Sequence, residues 1–78
     1  MADQSSSPDV TIRLSIRQRE CLRLAALGLT AAQSARQLGI AERTVREHLF
    51  AARQKLGASS TTQAVHTALQ KGLLEKER

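Results

Sequence analysis

An all-α fold, a bundle of four short helices, is predicted from three observations. The S/T-x-x-Q spacing of a capping box occurs three times, at Ser15 with Gln18, Thr30 with Gln33 and Ser60 with Gln63. Gly28, Gly39, Gly57 and Gly72 each follow an apolar segment of helical period, where a helix stops. Hydrophobic content is 41%, drawn mostly from Ala and Leu, with one Phe and no Trp or Tyr. Such side chains suit closely packed helices and give little support for a sheet. Seventy-eight residues allow one domain with a thin core, marginally stable by itself.

The elements follow in order. Met1 to Val10 is Ser-rich, holds the only Pro and lacks periodicity, so residues 1–12 are expected to form a disordered arm. Asp3 and Asp9 argue for an inert leader over a minor-groove reader. The first helix starts after Ser15 and presents Cys21, Leu22, Leu24 and Ala25 on a broad apolar face. Arg17, Arg19 and Arg23 face mostly outward, either to touch phosphates or to keep the surface soluble. Ala31, Ser34, Ala35 and Leu38 form the inner stripe of the second helix, Ala31 to Leu38. Ser34 is the misfit there, although its hydroxyl can reach the Thr30 carbonyl one turn back.

The third helix, Glu42 to Leu56, has Ala41 at its N-cap, a residue with no side-chain acceptor. Glu42 offsets part of that deficit through the helix dipole. In the fourth helix Ala64, Val65, Ala68 and Leu69 are expected to face inward, and Gly72 ends it. Leu73 and Leu74 follow, then a charged tail over residues 75–78. The packed domain is thus expected over residues 13–74.

The stretch Thr30 to Leu56 organises the rest. A short helix, a Gly-containing turn through Ile40 and Ala41, and a longer basic helix outline a helix-turn-helix, whose second helix enters the DNA major groove. On that second helix Val45, Leu49, Ala52 and Leu56 share a buried stripe. The opposite face carries Arg43, Arg46, Glu47, Phe50 and Gln54. Arg can fork onto guanine, and Gln can pair with adenine. The competing assignment is a solvated basic face.

Single residues on this face have alternatives of their own. Arg46 is the first choice for base readout, against a phosphate contact. Glu47 either accepts from a cytosine amino group or positions a neighbouring Arg. Phe50 fits thymine methyls better than it fits a protein partner; a rotated helix would instead bury it in part.

Charge points the same way. Residues 11–74 hold ten basic residues against Glu20, Glu42 and Glu47, hence +7, which favours a polyanionic partner. One cysteine excludes an internal disulfide and suits a reducing cytoplasm. Neither a membrane-spanning run nor a signal-peptide pattern is present. His48 and His66 lack ligand partners nearby, and Cys21 sits where a core thiol would. No nucleophile-base pair, phosphate loop or metal spacing occurs, so the expected chain is a non-enzyme with no cofactor, no catalytic residue and no metal.

Further residues carry a resemblance. They are Leu14-Ser15, Arg19 to Leu22, Gly28 to Thr30, Ala35, Leu38 to Ile40, Thr44 to Leu49, Lys55 to Gly57, Gln63 to Val65, Ala68 and Gly72 to Leu74. In that order and spacing the chain resembles the LuxR/GerE-type DNA-binding domain of bacterial transcription regulators, over roughly residues 13 to 74. The Thr-Val-Arg-x-His-Leu and Lys-Leu-Gly segments are the specific ones. The resemblance implies a four-helix domain that reads an inverted repeat near a promoter as a homodimer joined through the fourth helix.

By position, base contacts would fall on Arg43, Thr44, Arg46, Glu47 and Phe50, and phosphate contacts on Thr30, Arg53 and Lys55. Val65, Leu69 and Leu73 are the candidate dimer seam, unless all three serve the monomer's own core. Double-stranded DNA, a second copy and RNA polymerase are the candidate partners, with the nucleoid as the place of action. Ala31-Ala32, Ser34, Ala41, Phe50 and Thr61 depart from the family pattern and bear on the target sequence, not on the fold. Most members carry a sensor domain as well, so a stand-alone regulator or a piece of a longer one is expected. The rival from another class is a protein-interaction module that pairs with a related regulator through its last helix and blocks it. A promoter-binding piece of a sigma factor shares the outline but fits the Lys55 to Gly57 and Gly72 to Leu74 segments less well.

Overall fold

The computed structural model describes residues 12–74; the expected arm, apart from Ile12, and the tail lie outside them. Four helices follow in order: α1 (Ile16–Ala26), α2 (Ala31–Leu38), α3 (Glu42–Leu56) and α4 (Thr61–Gln70). The described residues contain no strand. Ile12 is half-buried and packs against the main core, so the packed unit reaches back to the last residue assigned to the arm.

Helix starts are set locally. The Ser15 hydroxyl accepts from the Gln18 amide at 3.0 Å while the Gln18 carboxamide accepts from the Ser15 amide at 3.0 Å, closing a full capping box. Thr30 and Gln33 do the same at 3.1 and 2.9 Å. The third box is only half made. Ser60 accepts from the Gln63 amide, but Gln63 Oε1 turns to the Ser59 amide at 2.6 Å and the Ser59 hydroxyl at 3.0 Å. The preceding turn brings two Ser59 donors to that oxygen, and the Ser60 amide loses the competition. Ala41 caps α3 with no side-chain hydrogen bond, as its methyl dictates, and Glu42 occupies the first turn.

Helix ends share one device. After each helix a glycine takes a left-handed φ, and the next residue's amide reaches back five positions. Leu29 donates to Leu24, Ile40 to Ala35, Ala58 to Arg53 and Leu73 to Ala68, at 2.9 to 3.1 Å. Three of those four apolar donors, Ile40, Ala58 and Leu73, pack against the core. At Gly39 (φ 70°) this motif is also the turn between α2 and α3, so backbone freedom there sets their crossing.

The core falls into two clusters. The larger joins α1, α3 and α4 through Leu22, Ala52, Leu56, Ala64 and Ala68, closed by Leu74 from beyond α4. Cys21, Ala35 and Val45 form the smaller, joining α1, α2 and α3, with Ile40 of the turn packed against it. Leu49 touches both. No direct contact links α2 to α4; the α1/α3 pair lies between them.

Three inward assignments need comment. Leu69 was expected to face the core but is 53% exposed, because Ala64 and Ala68 already fill that side of α4 and Val65 covers its edge. Ser34 is buried, but the bond to the Thr30 carbonyl, at 2.9 Å, is made by its backbone amide as in any helix turn and not by the hydroxyl expected to reach it. Cys21 is fully buried, and burial is the main cause that raises its thiol pKa.

Candidate nucleic-acid interface

The stripe Val45, Ala52 and Leu56 is buried and Leu49 half-buried, which fixes the rotation of α3 about its axis. Arg43, Arg46, Glu47, Phe50 and Gln54 therefore stand exposed on the opposite face, with Thr44 half-buried beside them. Phe50 is 54% exposed, so the rotated alternative that would tuck it away is not what this packing produces. The base-facing candidates occupy the first half of α3, above the smaller cluster; Gln54 and Lys55 lie over the larger one.

Two exposed side chains are already engaged on this face. Arg46 forms an ion pair with Glu42 one turn earlier, with the Arg46 side chain 66% exposed. Carboxylate before guanidinium at i,i+4 is the favourable order on a helix, though such exposed pairs contribute little. The guanidinium of Arg53 lies over the Phe50 ring, its carbon 5.6 Å from the ring centre. One of its terminal nitrogens also donates to the Ser59 carbonyl at 3.2 Å.

The phosphate candidates differ in how free they are. Thr30 accepts from Gln33, which leaves its hydroxyl hydrogen to donate elsewhere. Lys55 is clasped: its ammonium donates to the Arg13 carbonyl at 2.8 Å and to Gln18 Oε1 at 2.9 Å. It thus ties the end of α3 to the start of α1, and one of its three hydrogens is uncommitted among the described residues. Arg53 keeps most of its donors.

The dimer candidates also separate. Leu69 is open to solvent, whereas Val65 and Leu73 are half-buried against the larger cluster. Leu69 therefore has area to give a partner, and the other two are mostly spent on the monomer.

Glu42, read above as a helix-start charge, stands four residues before Arg46, a spacing that by itself signals the pair. Phe50 and Arg53 are three apart, again a readable spacing. The Lys55 clasp, which spans 42 residues to Arg13, carried no local signal. No helix among the described residues is long and apolar enough to cross a membrane.

Comparison with known proteins agrees with this geometry. Residues 13–68 match the GerE model, described as bacterial regulatory proteins of the luxR family. The spore germination protein GerE of Bacillus subtilis is 42% identical over 62 residues, 80% of this chain and 84% of that protein. YdfI, a transcriptional regulatory protein of the same organism, is 47% identical over 53 residues, 68% of this chain but only 25% of YdfI. Against several such relatives, then, the chain spans roughly a quarter to a third of their length. The solved structure of GerE superposes with a TM-score of 0.75 at 37% identity, covering 80% of this chain and 92% of GerE. A Vibrio cholera VqmA-ligand-DNA complex gives 0.77 at 32% identity, covering 95% of this chain and 32% of VqmA. On fold and sequence together, the chain belongs to the luxR family of bacterial regulatory proteins.

Proposed function

We propose that this chain binds promoter DNA in a sequence-specific way and regulates transcription, with α3 in the major groove. The carrying observation is the outward, exposed row Arg43, Arg46, Glu47 and Phe50 on a helix whose other face is locked into the core. Arg46 is the reader for guanine, Glu47 for cytosine, and Phe50 lies against thymine methyls, with Arg43 and Thr44 beside them. Thr30, Arg53 and the free hydrogen of Lys55 meet phosphates and fix register.

Homodimerisation through α4 is part of the reading and is supported by the exposure of Leu69. A two-fold pair would read an inverted repeat with half-sites about 10 bp apart centre to centre. Contact with RNA polymerase at the promoter, and residence in the cytoplasm on the nucleoid, follow from the same function. Selection of sites from random DNA with the purified chain tests it: recovery of a palindromic motif, bound with a steep salt dependence, is expected. A chain that ignores DNA in dilute buffer but captures a related regulator would establish the interaction-module alternative instead.

A further inference from the structure

We propose that Phe50 is a positioning residue for Arg53: its ring face holds the guanidinium in place as a phosphate clamp at the edge of α3. This rests on the DNA-binding reading above and gives one side chain a defined job within it. Phe50 and Arg53 are three apart and share a helix face. At 5.6 Å from the ring centre, the guanidinium carbon is within cation–π range.

A second restraint comes from the turn between α3 and α4. The Ser59 carbonyl accepts from Arg53 at 3.2 Å, and Ser59 is itself tied to Gln63 of α4 through its amide and hydroxyl. Arg53 is therefore held between an aromatic face and an anchored carbonyl. Its Nε is buried and has no hydrogen-bond acceptor among the described residues. Of five N–H donors, the Nη1 pair and one Nη2 hydrogen make no hydrogen bond among the described residues. That is the fork a phosphate takes. A guanidinium held beforehand loses less side-chain freedom when the phosphate arrives.

Substitutions at Phe50 separate the π face from apolar bulk. Phe50→Leu retains an apolar surface for a thymine methyl but lacks the ring; Phe50→Tyr retains the ring. Binding of the full chain to its selected operator and to an unrelated duplex is measured across a salt series. Phe50→Leu should weaken both roughly two- to fivefold and make the salt slope shallower by up to about one unit. Phe50→Tyr should match the parent, and adding Phe50→Leu to Arg53→Gln should cost nothing more. Loss on the operator alone with an unchanged slope, or no loss, would overturn the proposal.

In the free protein the Arg53 Nε–H proton resonance should be shifted upfield by the ring in the parent and in Phe50→Tyr, and not in Phe50→Leu. A parent without that shift overturns the stacking whatever the DNA result. A parent with the shift that binds no duplex overturns the DNA-binding function and the phosphate role with it.

Discussion

The two halves of α3 rest on different foundations. Its second half, Ala52 to Leu56, packs with Leu22, Ala64, Ala68 and Leu74, where three helices and the chain beyond α4 converge. Its first half, which carries the row proposed to face the bases, rests through Val45 on Cys21 and Ala35. The larger cluster buries three leucines, Leu22, Leu56 and Leu74, and the smaller cluster buries none. Buried apolar area sets the free energy of each, so the anchoring half is the more stable and the reading half opens more easily. Stability and the proposed recognition are thus placed at opposite ends of one helix, with Leu49 between them.

Substitutions can break this contrast. Leu22→Ala removes the largest fully buried side chain and should cost about 2–5 kcal/mol, read by chemical denaturation. Val45→Ala empties the smaller cluster and should cost about 2 kcal/mol. It should also weaken binding to every duplex alike, because the whole reading face loosens. If Val45→Ala proves more damaging to stability than Leu22→Ala, the assignment of anchor and reader is reversed.

Others sharpen the contrast without touching the core. Arg46→Ala should leave the melting midpoint nearly unchanged and weaken operator binding by about 1–3 kcal/mol, relaxing preference at one base pair. A uniform loss on all sequences would make Arg46 a phosphate ligand. Ala41→Ser supplies the missing acceptor at the start of the reading half and should stabilise the domain by about 1 kcal/mol. A thermal melt with no gain would mean that the α3 amides are satisfied in another way.

Much of the frame was readable because its causes are local. Ser15 with Gln18 and Thr30 with Gln33 meet across three residues, within one helical turn, so their spacing alone specifies the bonds. The outward row on α3 follows from the angle to Val45 and Ala52. The half-made box at Ser60 was not readable, since Ser59 competes for Gln63 only once the turn has its shape. Leu69 failed for a related reason. Inward and outward on α4 depend on which small residues the facing helices leave room for, and Ala64 and Ala68 took that room.

The amino-acid order alone determined where each helix begins and ends, because caps, glycine stops and apolar period act over a few residues. Tertiary structure decided which cations keep donors free. Lys55 has the same charge whether clasped or loose, and only the fold brings the Arg13 carbonyl and Gln18 to its ammonium. Likewise Arg53 is steadied by a carbonyl beyond the end of its own helix. A charge acts through its surroundings, and those surroundings are assembled from parts of the chain far apart in sequence.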